Sequence, residues 1–458
     1  MFIAVISIAT LYDIIIIQLP KQKLLLEDSD LNGDTGAYTD HRINQEEYKP
    51  LLGDNTTLRK TENAPGVVGE LLLSFSVYTN GKKLLSTKQA SGSLKAVNGI
   101  RFLSMSWVIL GHTYVFGIYN VANIASFFPE VMNRWTYQAI VNALVSVDSF
   151  FTLSGLLMSY LILKEMKKNN GKINWLMFYF HRFWRLTPPY MLVLMVYVPL
   201  FPYMSNGPVW PQNGVEKDFC AQSWWTNLLY INNFLSEILG VIVCLVMLLI
   251  VFLSAGIISS VNNMPASMFG AQVDQEAYFV DYYIKPYCRM GPYIVGILTG
   301  YILYKTNCRY RMNKLINFAC WIIAAVVACA ILYGLYNPVG GDHILSRDVS
   351  ALYNATHRAV WGACLCWVIF ACATGNGGFV NTILSWSAFV PLSRLTYCAY
   401  LLHPILMYLY YLSLRQPLYF TDMTVVWLFL GFLVASYGVS FVVSLAFESP
   451  MMALEKIN

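Results

Sequence analysis

The sequence predicts an all-α bundle of about ten membrane-spanning helices, and three observations carry that prediction. Charged residues make up only 12% of the 458 positions and hydrophobic residues 57%, whereas a soluble domain carries roughly 25% charge. Mean hydropathy is +0.51. The apolar residues gather into ten runs, most of them close to or above the roughly 20 residues that cross a hydrocarbon core. The 31 Tyr and 12 Trp suit aromatic belts at the two membrane interfaces. A net charge of +5, spread along the chain, gives no basic patch for nucleic acid, so the expected partners are membrane lipids and small molecules.

The first run, Met1–Leu19, has no basic residue before it and Lys21 and Lys23 just after it. Charge bias therefore predicts a first transmembrane helix over 1–19 with its amino terminus outside. A cleaved signal peptide needs its positive charge first and a small-residue site afterwards, and this run has neither. Residues 20–98 read as a cytosolic polar segment, partly disordered. Its acids and bases balance as far as Glu70, and then only Lys82, Lys83, Lys88 and Lys95 follow, a basic collar beside the membrane. The Asn55-Thr56-Thr57 sequon is silent under this placement.

The main transmembrane domain is expected over 99–447. Its runs are Gly99–Ile118, Tyr137–Leu163, Trp175–Leu200, Ile238–Ser260, Gly291–Tyr304, Leu315–Tyr336, Ala359–Thr374, Phe389–Leu412 and Val425–Phe447, with Gly291–Tyr304 the weakest. The basic stretches Lys164–Lys172 and Lys305–Lys314 are expected in the cytosol, with 448–458 as a cytosolic tail. Phe201–Asn227 and Asn337–His357 read as luminal or extracellular loops, which makes Asn354, in Asn354-Ala355-Thr356, a glycosylation candidate. The endoplasmic reticulum and the plasma membrane both suit this pattern. No internal repeat is visible, which weighs against an inverted-repeat transporter. The ten cysteines form no metal-ligand pattern, so no metal is expected, and Cys364 and Cys366 read as small apolar residues. Cys220 and Cys288 lie in polar loops, and spacing alone leaves open whether they meet.

Four features could carry chemistry. Arg101 and His112 lie eleven residues apart in one apolar run, about three helical turns and a rise of about 16 Å, so they share a face at different depths. An ionisable group inside a span usually faces a cavity or pathway, which makes His112 a site candidate; a packing histidine bonded to backbone is the alternative. Asp148 precedes Phe150-Phe151-Thr152-Leu153-Ser154-Gly155. A carboxylate in an apolar helix must be protonated or paired, and His112 is the nearest partner in type, while a hydrogen-bonded packing role is the alternative. Ser154 is a possible substrate contact, or with Gly155 a small pair for close helix approach. Arg182 and Arg185, in His181-Arg182-Phe183-Trp184-Arg185, project from one helix face as a two-pronged clamp for phosphate, or touch lipid head groups. His403-Pro404 reads as structural, since proline frees a carbonyl that a neighbouring histidine can satisfy.

Taken together, the Arg101 to His112 segment, FFTLSG and RFWR resemble the acyltransferase 3 family of membrane proteins. The phrases FSVYTNGKKLLSTK, GIRFLSMSWVILGHTY, SWWTNLLYINNF and AYLLHP resemble its animal nose-resistant-to-fluoxetine branch, over about Leu72 to Pro450. The resemblance implies a helical membrane domain that moves an acyl group from acyl-CoA, or a related donor, to an acceptor hydroxyl on a lipid, sterol or other small molecule. It also implies that Arg101, His112, Arg182 and Arg185 are functionally important.

On this reading Arg101, Arg182 and Arg185 bind the donor phosphates, and His112, oriented by Asp148, is the general base. Acyl-CoA is the expected co-substrate and no bound cofactor is expected. Without a residue that demands an acyl-enzyme, direct transfer is the simpler course. Two departures stand beside the resemblance. Animal members of the branch usually carry a cysteine-bearing luminal domain before the first span, whereas this chain begins at that span. After SWWTNLLYINNF the family continues through another transmembrane segment, whereas here Ser236-Glu237 leads straight into Ile238. Counting crossings against the basic run Lys305–Lys314 also leaves one crossing short. A transporter or carrier of lipids or xenobiotics, or an inactive isoform lacking one helix, are the alternatives.

Overall fold

The computed structural model describes residues 2–23, 66–89, 92–211, 237–269, 274–340 and 345–455, and they form a helical bundle. Twelve helices position the sites. They are α1 (Phe2–Tyr12), α2 (Val67–Ser74), α3 (Val77–Leu85), α4 (Ala96–Gly117), α5 (Val145–Lys168), α6 (Trp175–Leu200), α7 (Glu237–Val261), α8 (Gly291–Lys305), α9 (Lys314–Tyr333), α10 (Arg347–Ala373), α11 (Phe389–Leu412) and α12 (Asp422–Val443). Each of the ten apolar runs is helical. Seven helical stretches among the described residues are long and apolar enough to cross a bilayer. The remaining three runs correspond to α4, α8 and α11. Helix α8 has only 15 residues, while α4 and α11 spend positions on Arg101, His112, Arg394 and His403. Polar side chains lower apolarity in the helices that face the interior of the bundle.

Glycines set the central packing. A Cβ on Gly155 of α5 would lie 2.1 Å from the Tyr293 carbonyl oxygen of α8, and one on Gly296 of α8 would lie 2.2 Å from the Thr152 oxygen. The two backbones are therefore in direct contact, the close approach expected of the small pair at Ser154-Gly155. Helices α4 and α5 run antiparallel. Gly111 approaches the Ala143 Cβ just before α5, whereas Val97 and Ile100 share a buried cluster with Leu153 and Leu156. On the other side of α4 lies α11, joined by the Tyr411 hydroxyl donating to the Thr113 oxygen at 2.7 Å.

The ends of the chain are more structured than the sequence suggests. Part of the polar segment folds into α2 and α3; residues 24–65, including Asn55, lie outside the described residues. The Ser76 side chain caps α3 by accepting from the Thr79 amide, and Arg394 of α11 donates to the oxygens of Lys83, Leu84 and Ser86 at its other end. Sequence reading also passed over Asp13. It is fully buried in a π turn that continues α1 and accepts from Ser76 Oγ at 2.5 Å, Thr79 Oγ1 at 2.5 Å and Gln18 Nε2 at 3.0 Å. These bonds fasten the first apolar helix to α3. In the expected tail, Ser449–Leu454 is helical and Glu455 pairs with His181 of α6. Cys220 and the other residues of 212–236 lie outside the described residues.

One loop expectation is overturned. Asn337–His357 reads in the sequence as a luminal or extracellular loop, yet α10 begins at Arg347, where the Ser346 side chain caps it by accepting from the Val349 amide. Asn354 is therefore two turns into a helix and only 1% exposed, and its Nδ2 donates to Ser259 Oγ at 2.7 Å and to the Pro265 oxygen at 3.0 Å. That nitrogen is engaged in the core and cannot carry a glycan in this fold.

Candidate functional site

Two polar centres flank the α4–α5 pair. The first joins α4 to α11. His112 Nδ1 lies 2.8 Å from His403 Nε2, and His403 Nδ1 lies 3.0 Å from the Ala399 oxygen. A carbonyl only accepts, so His403 carries its proton on Nδ1 and presents a lone pair on Nε2. His112 must then donate through Nδ1, which leaves its own Nε2 as a lone pair. These tautomers are assigned from the hydrogen-bond chain. The outcome is an oriented base, held by a histidine that is only 1% exposed. Ring packing fixes it further: His112 stacks on His403 at 5.1 Å and on Phe116 at 4.7 Å.

His403 therefore takes the place expected of Asp148. The residue read as structural is the partner of His112, whereas Asp148 lies at the second centre and makes no hydrogen bond to His112. The physical reason is angular. Gly111 rather than His112 faces the Ala143 side leading into α5, and His112 is turned toward α11. The i,i+4 bond from His403 to Ala399 is the local signal: it fixes the tautomer and makes the neighbouring nitrogen an acceptor.

Arginines gather where α4 and α6 begin. Half-buried Arg101 feels the positive charge of Arg185. Arg182 reaches Met158 Sδ of α5 at 3.7 Å. Neither Arg101 nor Arg185 has a hydrogen-bond acceptor among the described residues, so two like charges approach without a carboxylate between them. An anion placed there would relieve both. Helix α6 is held in place by the Asn174 cap on the Met177 amide at 3.1 Å, by Trp184 Nε1 donating to the Met451 oxygen at 3.0 Å and by the Tyr397 hydroxyl donating to the Leu186 oxygen at 2.7 Å. Half-buried Ser154 makes no hydrogen bond among the described residues, and Gly155 beside it makes the close helix contact.

The second centre lies between α5, α10 and the turn 278–289. Asp148, 1% exposed, accepts from Arg289 Nε at 3.4 Å and also feels Arg358. Arg289 donates to the Tyr283 hydroxyl at 2.9 Å, and its guanidinium lies 4.2 Å from the centre of that ring. Arg358 sits 4.9 Å from the rings of both Tyr282 and Tyr283. Burial pushes the Tyr278 hydroxyl up to about 12, against the opposing pull of Arg358, so it stays a neutral hydroxyl at physiological pH. Cys288 is buried in the neighbouring cluster with Tyr278 and Tyr282. Trp361 Nε1 donates to Ser149 Oγ at 2.9 Å, and its ring leans on Trp107 of α4 at 5.7 Å. Sequence reading missed Arg289 and Arg358; an aspartate inside an apolar helix demands a basic partner, and these are the arginines that border the two neighbouring runs. Among the described residues, no group of three or more His, Cys, Asp or Glu could hold a metal ion.

Comparison with known proteins bears on this geometry. A family model described as an acyltransferase domain, acyltransferase 3, matches residues 94–445. The chain is similar to Nose resistant to fluoxetine protein 6 of Caenorhabditis elegans, at 34% identity over 85% of this chain and 54% of that protein. It is also similar to Regulator of hypoxia-inducible factor 1 of the same organism, at 24% identity over 73% of this chain and 74% of that protein. The chain thus spans about half the length of the first of these relatives. No solved structure matches it.

Proposed function

The chain belongs to the acyltransferase 3 family and is an integral membrane protein of acyltransferase type, and from that premise we propose that it moves an acyl group from acyl-CoA, or a related thioester donor, to a hydroxyl on a lipid, sterol or other small molecule. The observation that carries this reading is the hydrogen-bond chain Ala399 oxygen, His403, His112, which leaves a lone pair on His112 Nε2. That nitrogen takes the acceptor's hydroxyl proton as the oxygen attacks the thioester carbonyl. The new C–O ester bond forms, the C–S bond breaks, and the departing thiolate receives the proton back from the imidazolium. Arg101, Arg182 and Arg185 bind the phosphates of the donor. The rise of about 16 Å from Arg101 to His112 gives an extended thioester arm its path inward. His403 is a positioning residue; Asp148 belongs to the other centre.

Purified full-length protein offered labelled acyl-CoA tests the proposal. Thioester consumption with label appearing in an ester product supports it; flux of a lipid or xenobiotic without consumption supports a carrier instead. If no turnover appears, inserting the family's transmembrane segment between Leu235 and Ile238 distinguishes a shortened, inactive form, which gains activity, from a chain without this chemistry, which does not.

A further inference from the structure

The second centre carries an excess of positive charge. Two guanidinium groups, Arg289 and Arg358, share the single carboxylate of Asp148. Arg289 is the one within bonding distance, donating to Asp148 Oδ1 at 3.4 Å, and it keeps some exposure. Arg358 is the deeper of the two, 3% exposed, and its Nε makes no hydrogen bond among the described residues. A buried guanidinium donor without an acceptor is costly, so the centre favours an added acceptor that brings negative charge.

A small space for that acceptor is present. Asp148, Ser267, Tyr278, His357 and Arg358 line a cavity of about 20 Å³. That is room for about one water, enough for a halide ion and too little for an organic anion. Three of these residues offer a donor. Arg358 Nε is the first. Ser267 Oγ accepts from the Phe269 amide at 3.2 Å, which leaves its own hydroxyl proton to give. The Tyr278 hydroxyl oxygen accepts from Arg358 and likewise keeps its proton for another acceptor. His357 adds no donor, because its one ring proton, on Nδ1, goes to the Tyr353 oxygen at 2.8 Å. Asp148 also lines the space, but its charge is already balanced by one of the two guanidinium groups.

We propose that this cavity is a halide site that takes chloride, with Arg358 Nε, the Ser267 hydroxyl and the Tyr278 hydroxyl as its donors. A spherical anion accepts from several directions at once, which suits side chains from three elements: α10, the loop after α7 and the turn 278–289. Charge decides between chloride and water. A water completes the Nε bond and leaves the excess guanidinium charge in place, whereas a monovalent anion brings Arg289, Arg358 and Asp148 to neutrality. The bound ion ties α10 to the two segments that cover it. None of the residues of the His112 centre takes part, so the site stands or falls independently of acyl transfer.

Thermal unfolding of the purified full-length protein in detergent tests this, with sodium chloride replacing sodium gluconate at fixed ionic strength. The melting temperature is expected to rise with chloride and then saturate, because a ligand that binds only the folded state stabilises it by mass action. Bromide should substitute for chloride; gluconate is too large for the cavity. Tyr278→Phe removes one donor and no charge, and should raise the half-saturating chloride concentration by about tenfold, the worth of one hydrogen bond to a charged group. Arg358→Gln should abolish the chloride response, and if that variant fails to fold, Tyr278→Phe and Ser267→Ala decide the matter. Equal melting in chloride and gluconate, the result expected of a cavity that holds water, would overturn the proposal. So would a rise that never saturates, or a half-saturation point unchanged in both Tyr278→Phe and Ser267→Ala.

Discussion

At the scale of single residues, base catalysis by His112 depends on which of its nitrogens holds the proton, and hydrogen-bond inventory decides it. His403 gives its Nδ1 proton to a backbone oxygen, so it can only accept from His112. His403→Ala is therefore expected to lower kcat with little change in KM, by removing the acceptor that orients the base. His403→Gln should recover much of the loss, because a carboxamide oxygen can accept the same proton; kinetics of the two variants side by side check this, and equal defects would refute an orienting role. The arginines act differently. Arg182→Ala and Arg185→Ala should raise the KM for the acyl donor with a smaller effect on kcat, since phosphate contacts serve ground state and transition state alike. A fall in acceptor affinity alone would remove them from the donor site. His112 and the arginine pair were legible because ionisable residues in apolar runs stand out. The pairing was not, since a one-residue difference on a helix, Gly111 against His112, turns a side chain by about 100° and changes its neighbour.

At the scale of elements, the bundle depends on backbone contact between α5 and α8. Gly155→Val places a branched side chain where even a Cβ would lie 2.1 Å from the Tyr293 oxygen. The helices must separate, at a cost of about 1–3 kcal/mol or more, and a lowered melting temperature in detergent is the expected result. A variant as stable as wild type would show that the helices approach less closely. The element limits were legible where the side-chain chemistry is local: Trp175–Leu200 is α6 to the residue, opened by the Asn174 cap. They were not legible at α10. Asn354, His357 and Arg358 make its first three turns look like a polar loop, and only the partners supplied by Ser259, Tyr353 and Tyr283 bring them inside. Consequently Asn354→Gln should leave electrophoretic mobility and endoglycosidase sensitivity of the membrane-inserted protein unchanged; a mobility shift would mean that α10 opens at its amino-terminal end.

For the whole molecule, the ten apolar runs announced a helical membrane bundle, and the order of motifs along the chain announced its family. Composition could not say that the polar residues divide into two centres. That division depends on which side of the α4–α5 pair each neighbouring helix occupies, a property of long-range packing. The bundle thus holds an oriented base facing α11 and a charged, cavity-lined centre facing α10, with an arginine cluster where α4 and α6 begin. Acyl transfer is proposed for the first of these. Free thiol released from labelled acyl-CoA, followed together with label in ester product, tests it in wild type and in correctly inserted His112→Ala. Stoichiometric thiol and ester are expected from the wild type, with a rate lower by about 10²–10⁴ in the variant. Undiminished turnover in His112→Ala would contradict it.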